Sequence, residues 1–210
     1  MNILVTGCNG QLGSEIRALE GEHEQHHFIN AGHAELDVTD KEAVMRCVAD
    51  NKVDGIINCA AYTAVDRAES DHEGAAALNT TAPANLAMAI EKRGGFLIHV
   101  STDYVFDGTA HIPYRETDEP CPNSVYGSTK LAGENAALNL CQHTMVVRTS
   151  WLYSAMGKNF VKTMVRLGHT KEQMGVVFDQ VGTPTYASDL AYTLLKAVDK
   201  GVVPGIYHYS

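Results

Sequence analysis

"NILVTGCNGQLGSEI", residues 2–16, is the stretch that decides the fold. An apolar, β-branched run ends in Thr6, glycines follow at 7, 10 and 13, and a segment of helical period opens behind them. Gly7 permits a tight turn, Gly10 lets a pyrophosphate approach the backbone at a helix N-terminus, and Gly13 allows close packing of helix on strand. Glycines at this spacing are weak evidence in an arbitrary loop, but between a first strand and a first helix they form the dinucleotide fingerprint. Gln11 and Leu12, inside the turn, join Gly7, Gly10 and Gly13 as expected cofactor contacts.

Outward from that turn, short apolar runs alternate with longer segments of helical period, the pattern of βαβ units. Strands are expected at residues 2–6, 27–30, 55–59, 96–101, 145–149 and 175–178, with an apparent final strand in "GIYHYS" (205–210) that lacks cover for its apolar side chains. Helices are expected near 11–19, 40–50, 73–93, 124–141, 158–168 and 187–199, with Asp40 as an N-cap. The fold class is α/β: a doubly wound parallel sheet of Rossmann type with its ligand crevice at the carboxyl ends of the strands. Residues 1–150 read as the dinucleotide-binding domain, and 151–210 as part of a small substrate-binding region interleaved with the last sheet elements and incomplete at its end.

Composition narrows the partners. The 210 residues are 45% apolar, enough for a sizeable core, and carry a formal charge of -9. An acidic chain is poorly built to bind nucleic acid or an anionic membrane, and a small molecule is the expected partner. Five scattered cysteines without a C-x-x-C pair fit reduced thiols and a cytoplasmic setting. "MNILVTG" enters a strand directly, without a leader, and no apolar run is long enough for a membrane span. His23, His26 and His27 in "GEHEQHHF" (21–28) have no acidic or cysteine partner at ligand spacing, so that stretch reads as a solvated loop.

The chemistry should follow the strands. The end of strand two, "INAGH", offers no acid for an adenosine 2′-hydroxyl and no base for a 2′-phosphate, whereas Asp37 and Val38 in "ELDVTD" (35–40) are placed to line the adenine. After strand three, Ala60 and Ala61, followed by Tyr62, are small where bulk would collide with a cofactor. Strand four ends in "HVSTDYVFDG" (99–108) and brings Ser101 and Thr102 to the crevice edge. Tyr126 and Lys130, four apart in "NSVYGSTKLAGE" (123–134), share a helix face. A hydroxyl, a phenol and an amine converging beside a nicotinamide form an acid-base site for carbonyl reduction. A cation about 4 Å from the phenol, at an effective dielectric of about 20, would favour the phenolate by roughly 4 kcal/mol, or about three pKa units before desolvation opposes it. Lys130 is therefore expected to tune Tyr126 downward and to hold the nicotinamide ribose, while Thr102 orients the substrate carbonyl.

"TGCNGQLG", "STDYVF" and "YGSTK" resemble the extended short-chain dehydrogenase/reductases, with the triad on Thr102, Tyr126 and Lys130. Within them, "ELDVTD", "NCAAYTAVDRAE", "PNSVYGSTKLAGE", "RTSWLY", "KNFVKTM" and "DQVGTPTYASDLA" in this order resemble the dTDP-4-dehydrorhamnose reductase family nearly end to end. The resemblance implies reduction of the 4-keto group of dTDP-4-dehydro-6-deoxy-L-mannose to dTDP-L-rhamnose by NADPH or NADH, for a cell-surface polysaccharide. It places substrate contacts on Val65, Thr102, Asp103, Tyr104, Tyr126 and Trp151, with Asn159 a weaker one, and lets "GTPT" (182–185) shape the pocket. It also implies a homodimer, common in the family, and, from members that use Mg²⁺, a candidate acid in Glu15, which the helix macrodipole explains as well. Two rivals share the resemblance. A sugar-nucleotide epimerase or dehydratase would keep the fold, but the dehydratases carry Glu where this chain has Tyr104. A non-catalytic cofactor-binding partner of methionine adenosyltransferase has no need of the full triad retained here.

Overall fold

The computed structural model describes residues 1–176 and 179–210. Its centre is a six-stranded parallel sheet in the order β2-β1-β3-β4-β5-β8, formed by β1 (Asn2–Thr6), β2 (His27–Ala31), β3 (Gly55–Asn58), β4 (Phe96–Thr102), β5 (Thr144–Thr149) and β8 (Gly205–His208). Leu4, Ile56 and Leu97 alternate onto one face and pack against α2 (Lys41–Asp50), α5 (Ala82–Glu91) and α6 (Val125–Leu140). Ile3, Val5, Ile57 and Ile98 point to the other, beneath α1 (Gln11–Leu19) and α8 (Ala187–Lys200). Period-two alternation in strands buried on both faces produces this doubly wound arrangement. A two-stranded parallel ladder, β6 (Leu152–Tyr153) with β7 (Thr185–Tyr186), and α7 (Phe160–Thr170) stand outside the main sheet.

Most expected elements are present within a residue or two, and Asp40 caps α2 by accepting from the Ala43 amide at 3.0 Å. Three expectations need correction. The helix expected over 73–93 is broken into α4 (His72–Ala76), a π-helical turn (Ala77–Thr81) and α5, preceded by the short α3 (Val65–Ala68). Pro83, in the first turn of α5, has no N–H to return to the Asn79 carbonyl, which opens the ladder there. Gly175 and Val176 of the strand expected at 175–178 are irregular, and the other two positions lie outside the described residues. The place beside β5 is taken by β8, with Met145 opposite Gly205.

The histidine stretch is the third correction. His23 is buried, and Asp199 of α8 accepts from both His23 and His26, at 3.0 and 3.1 Å. Gln25 donates to the same carboxylate at 2.6 Å. An acid 176 residues away in sequence supplies the partner that local spacing could not reveal. Burial of Asp199 alone would raise its pKa, but these hydrogen bonds outweigh it and the carboxyl lies below its ordinary value.

The C-terminal half of the sheet carries a buried ion pair on the α6 face. Glu134 and Arg148 are 1% and 4% exposed, and Arg148 Nη2 meets Glu134 Oε2 at 2.7 Å. The guanidinium also lies over the Phe106 ring, 5.1 Å from its centroid. Removing one partner strands a buried charge. Glu134→Leu is expected to cost about 3–5 kcal/mol in equilibrium unfolding, and the double change Glu134→Leu/Arg148→Met clearly less than the two single changes combined. An additive double variant contradicts the pairing.

Candidate functional site

Gly7 takes φ +66°, and a Cβ there would lie 2.7 Å from the Ala60 amide nitrogen. The turn therefore presses against the end of β3, and only glycine combines that backbone with that approach. At Gly13 a Cβ would fall 2.6 Å from the Cys8 Cα, so α1 lies directly on the turn. Gly10 occupies the N-cap of α1 without a side-chain cap, leaving the helix N-terminus to face an anion. These features fit a dinucleotide pyrophosphate. Leu12 is buried in the core, so its contribution to such a ligand is main-chain only. Gln11 turns its amide away from the turn's own loop, donating to the Leu152 carbonyl at 3.3 Å and accepting from Asn159 at 2.8 Å.

The adenine side is less regular than the sequence implies. Val38 is buried, and the exposed Asp37 accepts from the Thr39 hydroxyl and amide at 2.6 and 2.9 Å, contacts that hold its carboxyl below the ordinary range. Nearer the turn stands Glu35, which accepts from the Gly32 amide at 2.8 Å just beyond β2. Arg17 donates to Asn9 at 3.3 Å in the turn itself. Neither residue was legible at the end of strand two, because the loop doubles back to bring Glu35 there.

Ala60, Ala61 and Tyr62 line the step after β3, half-buried. Asn79 of the π turn fixes this segment, accepting from the Tyr62 amide at 2.9 Å and donating to its carbonyl at 3.1 Å. The Tyr62 hydroxyl donates to Asp71 at 2.9 Å; burial and that carboxylate raise the phenol's pKa. Val65 opens α3 beside this step and packs, with Tyr104, around Tyr126. No spacing rule pointed to Asn79.

β3 stops at Asn58, opposite His99, while β4 runs on to Thr102. At that overhang Thr102 caps a short 3₁₀ turn, Asp103–Val105, accepting from the Tyr104 amide at 3.2 Å and donating to Asp103 at 2.9 Å. Burial raises the Asp103 carboxyl's pKa, with the Thr102 hydrogen bond opposing. Ser124 caps α6 by accepting from the Gly127 amide at 3.1 Å. Tyr126, in the first turn of that helix, is 9% exposed and meets Tyr104 edge-on at 5.4 Å. One turn on, Lys130 is 2% exposed and donates to the Val100 carbonyl at 2.7 Å.

The electrostatics correct the expected tuning. Burial pushes the Tyr126 phenol up to about 12, with the Thr102 side chain pulling the other way and Asp103 and Tyr104 adding to the rise. Burial is the largest of these causes, and the Lys130 ammonium meanwhile donates to the Val100 carbonyl at 2.7 Å. Burial lowers Lys130 to about 8, against the upward pull of Glu134 and Cys59.

On the far side, Trp151 takes φ +45° and is 39% exposed. Its ring covers Gly182, and the "GTPT" segment is tied to the end of β5 by Ser150 donating to the Thr183 carbonyl at 2.6 Å. Asn159 caps α7, accepting from the Lys162 amide at 2.9 Å, and so links that helix to Gln11 in the glycine turn. Glu15 accepts from Ser154 at 2.7 Å, and no group of three His, Cys, Asp or Glu side chains suited to a metal is found among the described residues. No helix among those residues is long and apolar enough to cross a membrane.

The family model described as the RmlD substrate binding domain matches residues 1–210. A dTDP-4-dehydrorhamnose reductase of Burkholderia thailandensis is 45% identical over 221 residues, spanning 100% of this chain and 72% of the relative. Among solved structures, a dTDP-4-dehydrorhamnose reductase of Clostridium acetobutylicum superposes with a TM-score of 0.95 at 45% identity, covering 100% of this chain and 74% of that one. The Bacillus anthracis enzyme of the same name, in complex with NADP, gives 0.95 at 40% identity, again over 100% and 74%.

Since any side chain at Gly7 meets the Ala60 backbone, Gly7→Ala is expected to weaken NADPH binding at least about tenfold, measured by titration calorimetry. An unchanged affinity would mean that the turn does not receive the pyrophosphate.

Proposed function

The chain belongs to the dTDP-4-dehydrorhamnose reductase family and is an oxidoreductase, and we propose that it reduces the 4-keto group of dTDP-4-dehydro-6-deoxy-L-mannose to dTDP-L-rhamnose with NADPH or NADH. The observation that carries this reading is the buried Tyr126 phenol beside the Thr102 hydroxyl at the overhang of β4, at the same end of the sheet as the glycine turn. The NADP complex of the Bacillus anthracis relative supports the choice of a nicotinamide cofactor. Gly7, Gly10, Gly13 and the main chain of Gln11 and Leu12 would hold its pyrophosphate, Asp37 and Val38 its adenosine side, and Ala60, Ala61 and Tyr62 the central stretch.

When bound, the reduced nicotinamide supplies the hydride that reaches the ketone carbon. Tyr126 supplies the proton. With its pKa raised to about 12 the phenol is fully protonated at neutral pH, so it arrives as a donor, and the alkoxide forming on the substrate is the stronger base that takes its proton. Thr102 turns its hydroxyl from Asp103 to the substrate oxygen and orients it, while the Tyr104 amide keeps the threonine oxygen in place. Lys130, held at the Val100 carbonyl, places a positive charge one helical turn from Tyr126 that favours the phenolate as the proton leaves, and a further N–H can reach a ribose hydroxyl. The sugar nucleotide would contact Val65, Asp103, Tyr104 and Trp151. Residues 1–150 form the cofactor half in this proposal, and 151–210 contribute to the substrate half. Glu15 is bonded to Ser154 and, among the described residues, belongs to no group of His, Cys, Asp or Glu side chains suited to a metal, so the residues present do not fit a Mg²⁺ site.

Tyr126→Phe is expected to keep NADPH affinity and lose at least about a hundredfold in kcat. Near-normal turnover would place the proton elsewhere. Lys130 loses its charge as pH rises through about 8, so kcat should fall on that alkaline limb. Lys130→Met should abolish the limb along with most of the activity, and an unchanged profile would remove the lysine from the site.

A further inference from the structure

Thr6, Asn58 and His99 form a fully buried polar row across three neighbouring strands, in register. The direction of each hydrogen bond along it is fixed. The Ala60 backbone amide can only donate, and it donates to Asn58 Oδ1 at 3.1 Å; the Thr6 hydroxyl donates to the same oxygen at 2.7 Å. Asn58 Nδ2 is then the donor to His99 Nδ1 at 3.0 Å, so the ring carries its proton on Nε2. Burial first, and the nearby Lys130 charge second, hold His99 well below its ordinary pKa, and the imidazole is neutral.

That Nε2–H is a buried donor, and among the described residues no protein group accepts from it. Ser101 Oγ, two residues along β4, is buried and partnerless in the same way. Alternation puts both side chains on one face of the strand, the face α6 covers. The neighbour of Ser101 across the ladder is Arg148, which binds Glu134 of α6. Lys130 lies one turn before Glu134, and its Nζ reaches the carbonyl of Val100, the residue between His99 and Ser101. Two orphaned polar side chains thus flank, on the face α6 covers, the residue whose carbonyl binds the buried ammonium. Buried polar atoms in such a setting are satisfied by an internal water with two to four partners.

From this convergence we propose that His99 is a positioning residue for Lys130: His99 Nε2 and the Ser101 hydroxyl hold one internal water that accepts a hydrogen bond from the Lys130 ammonium. The water accepts from His99 and from Lys130 and donates to Ser101. With the Val100 carbonyl, it takes two of the three ammonium donors, leaving the third for the crevice. The row also runs from Lys130 to Ala60, against which Gly7 packs, so one hydrogen-bonded chain sets the amine relative to the cofactor turn. Only the catalytic meaning of this arrangement rests on the reductase reading.

Nitrogen-15 labelled protein separates the two questions, because histidine tautomers are read by proton–nitrogen correlation without substrate, with His99→Gln assigning the signal. His99 is expected to keep its proton on Nε2 from about pH 6 to about pH 9, with an Overhauser contact from that proton to a long-lived water. A proton on Nδ1, a ring that titrates in this range, or an Nε2–H without the water contact overturns the proposal, whether or not any variant folds. In turnover, His99→Leu removes a hydrogen bond to the charged amine, on which Glu134, Cys59 and His99 also bear. The alkaline limb of kcat should move down by about one pH unit, with NADPH affinity reduced less than kcat, and His99→Gln should restore it. An unmoved limb in folded His99→Leu overturns the positioning role, while a failed reductase assay leaves the tautomer and water readouts standing.

Discussion

The structure turns on a lysine ammonium placed inside the protein. Lys130 is 2% exposed, and a buried charge persists only where protein atoms replace its water. The Val100 carbonyl does so at 2.7 Å. That carbonyl lies where β3 has ended at Asn58 and β4 runs on toward Thr102, so the unequal strand lengths supply both the acceptor for Lys130 and the exposed end that carries Thr102. Helix α6 must lie flat across this step, with Glu134 locked to Arg148 one turn beyond Lys130 and Tyr126 one turn before it. Sheet stagger, ion pair and site are one arrangement.

The same burial sets the chemistry. A phenol and an ammonium in a dry site both drift toward neutrality, the first upward to about 12 and the second downward to about 8. A tyrosine tuned down to neutral pH would be the stronger acid but partly ionised in the resting protein, so that fewer molecules hold a proton to give. Here it stays protonated until an alkoxide needs its proton, and the lysine charge counts most once the phenolate exists. Thr102 shows the corresponding restraint, its hydroxyl parked on Asp103 at 2.9 Å.

Much of this was legible in the sequence because it depends on local rules. Glycines at 7, 10 and 13 require a strand before and a helix after, and both are present; the i, i+4 spacing puts Tyr126 and Lys130 on one face whatever else happens. Less local features were not legible. Asp199 reaches His23 and His26 only through the packing of α8 against α1, and Glu35 reaches the turn only because its loop doubles back. The break at Asn79 was foreshadowed by Pro83, but the use of the Asn79 amide to fix Tyr62 was not. His99, a polar residue inside the apolar run "FLIHVS", was the one signal of the buried row, since an isolated polar side chain in a core strand needs a partner. The direction of the Tyr126 shift escaped because spacing gives proximity and says nothing of how deeply the phenol is buried.

The central claim is hydride delivery to a sugar-nucleotide ketone, and isotope transfer tests it most directly. The protein is incubated with dTDP-4-dehydro-6-deoxy-L-mannose and NADPH carrying deuterium at the transferable nicotinamide position of either face, and the sugar is examined by mass spectrometry and proton NMR. The account predicts deuterium at C4 of dTDP-L-rhamnose from one of the two labelled cofactors and none from the other. Turnover of the sugar without deuterium at C4 from either cofactor, or no consumption of the ketone by protein that binds NADPH, would contradict it.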